Sequence, residues 1–136
     1  MRVTAKVWEI AMSQRGYYIS EFLKYHGPTD AKAGVTLTEL ANKLGYSSRD
    51  KPVMGKTLRS WLDGGAPLWV IKTAVRFIIE NGYIPQSDDD LDSLLAYVLI
   101  DVSAEDVKAT LACSNFGRIN DGAIQESLNR IWHAKL

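Results

Sequence analysis

The sequence predicts an all-α protein, a helix-turn-helix-containing helical domain followed by an acidic C-terminal helical extension. Apolar residues recur at helical spacing almost throughout the chain. Residues 36–67, TLTELANKLGYSSRDKPVMGKTLRSWLDGGAP, have the order of a helix-turn-helix: a capped helix, a glycine turn, then a basic helix ending in Trp-Leu-Asp-Gly-Gly. Charge is polarised although its sum is zero. Residues 1–83 hold 12 Lys/Arg against 7 Asp/Glu, and residues 84–136 hold 4 against 9.

Length and composition bound the rest. A chain of 136 residues fits one domain, or a small domain with an extension, and can bury a real core. The expected division places the helix-turn-helix domain at residues 1–84 and the acidic extension at residues 85–136. With 46% apolar and 24% charged residues, the composition is that of a globular protein rather than a disordered one. The single cysteine, Cys113, allows no internal disulfide and no Cys-based zinc cluster, so a reducing cytoplasm is the expected location. Lys6 and Glu9 interrupt the apolar N-terminus, where no signal peptide can be read, and no apolar run approaches membrane-spanning length.

The elements follow in order. Val7, Ile10 and Ala11, then Tyr18, Ile19, Phe22 and Leu23, have amphipathic spacing, and Gly16 makes the run either two short helices or one with a weak centre. His26-Gly27-Pro28 stops it, and residues 29–34 read as a loop. Thr36 and Glu39 form a capping box, with Val35 and Leu40 at hydrophobic-staple positions, which starts the next helix at Thr36. Leu37, Leu40, Ala41 and Leu44 make its buried stripe, and Gly45 its left-handed C-terminal turn. Asp50 is placed to cap a helix that has Pro52 in its first turn and runs to Asp63. Val53, Leu58, Trp61 and Leu62 share its inner face, with Met54 near the edge and Trp61 as the core anchor. Gly64-Gly65 ends it. An apolar helix begins near Leu68, turns Val70, Ile71, Ala74, Val75 and Ile78 inward, and stops at Gly82. Ser87 caps a helix with Asp88, Asp89 and Asp90 in its first turn, at the positive end of the helix dipole. Ser103 and Asp106 open another helix, and the last runs from about Asn120 to His133.

Leu37-Thr38-Glu39-Leu40-Ala41-Asn42-Lys43-Leu44-Gly45-Tyr46-Ser47 resembles the first motif helix and turn of the lambda-repressor/Cro-like (XRE-type) transcriptional regulators. Trp61-Leu62-Asp63-Gly64-Gly65-Ala66-Pro67 resembles the end of their recognition helix and the turn after it, and the helix from Leu68 to Glu80 resembles the one that closes the domain. The resemblance covers residues 36–82. Gly45 and Trp61 stand farther apart than in that family, so SSRDKPV reads as an insertion, either an enlarged turn or an extra basic start to the recognition helix.

The resemblance implies sequence-specific binding of double-stranded DNA by a small bacterial or phage-type regulator, with residues 52–63 as the recognition helix in the major groove. Lys56 and Arg59 are then the expected base readers, because Arg pairs bidentately with guanine O6 and N7. Thr57 and Ser60 add shorter contacts, while Thr38, Lys43, Arg49 and Lys51 hold phosphates. Solvated charges on an amphipathic helix are the alternative. A net charge of +5 on the N-terminal part is modest for gripping DNA, so a homodimer is expected, with two half-sites about one helical turn apart. Leu94, Leu95, Tyr97, Val98, Leu128, Ile131 and Trp132 offer a dimer contact or pack their own core. A second function stays open: a protein-binding inhibitor or antitoxin-like factor acting through the acidic helical surface.

Other chemistries fit poorly, and no enzyme, cofactor or metal is expected. Asp88-x-Asp90-x-Asp92 begins like a calcium loop, but Ser93 and Leu99 stand where that loop needs glycine and glutamate. His26 and His133 have no second ligand at metal spacing. Cys113 reads as a small core residue, and Gly64-Gly65 lacks the strand and lysine of a phosphate-binding loop.

Overall fold

The structure, a computed structural model, describes residues 3–100, 102–113, 116 and 119–131. Among the described residues the chain is all helical. Its helices are α1 (Ala5–Ser13), α2 (Arg15–His26), α3 (Asp30–Leu44), α4 (Gly55–Ser60), α5 (Leu68–Glu80), α6 (Asp88–Leu99), α7 (Val107–Cys113) and α8 (Asp121–Ile131), with 3-10 turns at Trp61–Asp63 and Ala104–Asp106. No helix among them is long and apolar enough to cross a membrane. They form two compact units: Arg15–Ile78, and Met1–Gln14 together with Ile79–Leu136.

In the unit of residues 15–78, the core is built from Tyr18, Ile19 and Phe22 of α2, Leu37 and Ala41 of α3, Leu58 of α4, and Val70, Ile71, Ala74, Val75 and Ile78 of α5, all fully buried. The Phe22 and Phe77 rings meet edge to face with centroids 4.9 Å apart, a favoured aromatic geometry. The break between the first two helices falls at Gln14, which caps α1. Gly16 therefore lies inside the first turn of α2. A β-carbon there would come within 2.2 Å of the Leu62 carbonyl oxygen, so its lack of a side chain is used for close packing.

In the other unit, α6 is the centre. Every residue from Asp90 to Leu99 is buried, so this helix is enclosed around its circumference rather than amphipathic at a surface. Helices α1 and α8 pack against it. Tyr97 donates its hydroxyl proton to the Ala11 carbonyl at 2.7 Å and sets its ring 5.4 Å from that of Trp8. Ser87 caps α6 as its sequence suggests, accepting from the Asp90 amide at 3.1 Å. Asn120 does the same for α8, its side-chain oxygen accepting from Gly122 and Ala123.

Three expectations about the elements are corrected. Helix α3 begins one loop earlier than the capping box indicated: Thr29 is the N-cap, accepting from Lys32 at 3.2 Å, and residues 30–34 are helical rather than a loop. Thr36 sits mid-helix, where its hydroxyl shares a 2.7 Å hydrogen bond with His26 Nε2, and Val35 is exposed instead of stapling Leu40. Helix α4 is shorter than residues 52–63. It starts at Gly55 after an N-cap, Met54, that makes no side-chain bond, so neither Asp50 nor Pro52 begins it. The third correction concerns the apolar residues offered as a dimer contact. Leu94, Leu95, Tyr97, Val98, Leu128 and Ile131 are all buried in their own chain, and Trp132 lies outside the described residues, as does His133.

Candidate nucleic-acid interface

The α3–turn–α4 corner is held by two glycines and two polar side chains. Gly34, in the interior of α3, lies against the Val53 carbonyl so closely that a β-carbon would sit 2.0 Å from its oxygen. Gly55 opens α4 against Asp30 and Ala31, with an added β-carbon only 2.7 Å from their backbone. A helix-interior glycine costs about 1 kcal/mol relative to alanine, and here that cost is offset by the approach of the two segments. Thr38 pins the same crossing: its hydroxyl donates to the Gly34 carbonyl at 2.8 Å and accepts the Val53 amide at 2.9 Å. Farther along, Asn42 takes the Arg49 backbone in a two-point grip, accepting its amide at 3.1 Å and donating to its carbonyl at 2.9 Å. Gly45 closes α3 with a φ of 79°, the left-handed conformation that favours glycine. Of the two readings of SSRDKPV, the enlarged turn is the one observed, because residues 45–54 lie outside both helices.

The eight residues singled out in the sequence have different fates. Lys43, Arg49, Lys51, Lys56, Thr57, Arg59 and Ser60 are exposed. Thr38 is 3% exposed and its hydroxyl is committed at the corner, so it is withdrawn from the phosphate-holding set. Ser60 donates to the Thr57 carbonyl at 2.5 Å, an intrahelical bond that ties up its proton. Arg59 reaches back to the start of α3, where Nε donates to Asp30 Oδ2 at 2.5 Å and Nη2 to Oδ1 at 3.1 Å. The hydrogen bond from Arg59 holds the Asp30 carboxyl below its ordinary value and Asp30 in turn raises the Arg59 guanidinium; both groups are solvent-facing. Trp61 and Leu62 are half-buried in the 3-10 turn rather than a fully buried anchor, and Met54 stands 69% exposed.

Sequence reasoning missed the residues that support this surface. Asp30 falls in the stretch that reads as a loop, which hides its pairing with Arg59. A cation–aromatic cluster joins the turn to α5: the Arg49 guanidinium carbon lies 5.8 Å from the centroid of Trp69, and Lys72 Nζ lies 4.4 Å from that of Tyr46. The buried Arg76 donates to the Tyr46 hydroxyl at 3.2 Å. Nothing in helical periodicity marks such a cluster, since its members come from separate elements.

The acidic side is partly consumed by structure. Asp90 accepts from the Tyr83 hydroxyl at 2.5 Å and the Gln86 amide at 2.9 Å. Asp92, nearly buried, accepts from Ser127 at 2.5 Å and from Arg130, whose Nη2 approaches to 2.8 Å, and so fastens α6 to α8. Only Asp88 and Asp89 of the run remain exposed.

The unit of residues 15–78 carries ten Lys/Arg against five Asp/Glu, a balance of +5. A cleft of about 330 Å³ opens at the ends of α2 and α4 beside the start of α3, and its charged lining is Lys24, Asp30 and Arg59. Lys24 is paired with Glu21 at 3.3 Å, and the other two with each other. Among the described residues, no group of three or more His, Cys, Asp and Glu side chains comes together as a metal site would need. No protein-family model, curated protein or solved structure matches the chain.

Proposed function

We propose that the chain is a small transcription regulator of the cytoplasm that binds double-stranded DNA, with α4 and the turn before it directed at the duplex. The observation that carries this reading is the exposed cation series Arg49, Lys51, Lys56 and Arg59, displayed by one short turn and helix on a unit of balance +5. Phosphate neutralisation by such cations supplies most of the sequence-independent part of duplex binding. Lys56 and Thr57 are then the direct base readers, and Arg59 joins them after exchanging Asp30 for DNA. Lys43, Arg49 and Lys51 hold phosphates. The likeness of residues 36–82 to lambda-repressor/Cro-like regulators supports the same reading, as does the tightly pinned α3–α4 corner. Two copies on one duplex would double the basic surface, and they would meet through residues other than the apolar set now buried in each chain. An inhibitor or antitoxin-like role through the acidic surface has less to work with, since Asp90 and Asp92 are structural acceptors.

Selection of binding sites from a random duplex pool by the purified protein, at two salt concentrations, tests the proposal. Enrichment of one motif at both concentrations, weakening as salt rises, is the expected result. Recovery of unenriched sequence with no salt-sensitive retention would overturn it.

A further inference from the structure

We infer that Lys72, together with Arg49, forms a backbone-phosphate clamp beside the recognition surface, with Tyr46 and Trp69 as the rings that hold the two cations in place. The inference rests on the duplex-DNA reading given above. Trp69 and Lys72 are three positions apart on α5, so they share one helix face. Tyr46 and Arg49 stand three positions apart on the turn that precedes α4. The pairing is crossed: the cation of the turn lies over the ring of the helix, 5.8 Å from its centroid, and the cation of the helix lies over the ring of the turn, 4.4 Å away. Arg76 is only 8% exposed and serves a different purpose, fixing Tyr46 through its hydroxyl at 3.2 Å. Residues 46–51 and 69–76 together contain Arg49, Lys51, Lys72 and Arg76 against the single carboxylate of Asp50.

Two features of this arrangement favour phosphate. A cation resting on an aromatic face is attracted by the ring quadrupole yet keeps N–H groups turned away from the ring. Its side chain is also already ordered, so less conformational freedom is lost when an anion arrives. A backbone phosphate is the same at every step of the duplex, so a contact from Lys72 to it adds affinity uniformly over sequences. If the cluster only fastened the turn to α5, its loss would change stability and leave the ionic component of DNA binding untouched.

The test compares wild type, Lys72→Gln, Lys72→Arg and Lys51→Gln on several unrelated duplexes by fluorescence anisotropy across a potassium chloride series. Lys72→Gln is expected to flatten the plot of log affinity against log salt by about 0.9, one phosphate contact, by the same amount on every sequence and with an unchanged circular-dichroism spectrum. Lys72→Arg is expected to restore the wild-type slope. A wild-type slope in Lys72→Gln, alongside a reduced one in Lys51→Gln, overturns the clamp and leaves the DNA reading standing. Absence of salt-sensitive duplex binding by the wild type overturns both.

Discussion

Replacing Gly34 by alanine sets two physical effects against each other at the corner that positions α4. Helix propensity alone makes the change stabilising by about 1 kcal/mol, since alanine loses less backbone entropy than glycine in a helix interior. The new methyl, however, would lie 2.0 Å from the Val53 carbonyl oxygen and 3.1 Å from its carbon. Contact between a methyl and an oxygen is comfortable only beyond about 3.3 Å, so the backbone at Val53 must retreat by more than an ångström. Overpacking of this kind costs about 1–3 kcal/mol. The retreat also pulls the Val53 amide from Thr38, whose 2.9 Å bond is buried, and an orphaned buried donor adds about 1–3 kcal/mol. After the propensity gain, the net expectation is a loss of about 1–5 kcal/mol. For a chain of this size that is a fall in Tm of about 3–18 °C. Urea and thermal unfolding followed by circular dichroism measure it. Gly45→Ala is the control, because its added β-carbon meets nothing within 4 Å and only its φ of 79° opposes the change, at about 1–2 kcal/mol. A Gly34→Ala protein as stable as wild type, or more so, would refute the close approach of α3 to the Val53 carbonyl.

Three further outcomes are expected. Asp30→Asn releases Arg59 for base contact and removes a carboxylate, so duplex affinity should rise; weaker binding would mean that Asp30 positions Arg59 instead. Because Arg59 depresses the Asp30 pKa in the folded state, the pair's contribution is present above the unfolded carboxylate value, near about 3.9, and is lost as pH falls through the lower folded value. Carboxyl NMR should place the Asp30 midpoint below that of an unpaired aspartate, and a midpoint at or above it contradicts the pairing. Arg130→Met leaves the nearly buried Asp92 with Ser127 as its remaining partner among these bonds. As the guanidinium is 36% exposed, the cost should fall below that of a fully buried pair, at about 2 kcal/mol in urea unfolding.

The helical class, the Gly45 turn, the Gly64-Gly65 stop and the Ser87 cap were all legible because each depends on residues adjacent in sequence. The start of α3 was not. Thr36 and Glu39 match a capping box better than Thr29 and Lys32 do, and Gly34 looks like a helix breaker until Val53 is seen against it. That decision belongs to packing between segments far apart in the chain, which periodicity does not encode. The same holds for the candidate interface. Lys51 and Lys56 could be read as exposed cations from their positions alone, whereas the Asp30 partner of Arg59, the committed hydroxyl of Thr38 and the Tyr46–Lys72 contact each join residues 15 or more positions apart. Helix α6 shows the converse. Its apolar residues suggested a surface for a second copy, yet α1 and α8 from opposite ends of the chain pack against it.

On the proposed function, the exposed turn and α4 bind duplex DNA through their cations. The most direct measurement is an anisotropy titration of a selected duplex with wild type and with Lys51→Glu/Lys56→Glu, a pair chosen because neither side chain is committed to the α3–α4 corner. The double variant is expected to keep the wild-type helical spectrum and unfolding temperature while losing duplex binding at moderate salt. Equal binding by the two proteins would contradict the proposed function.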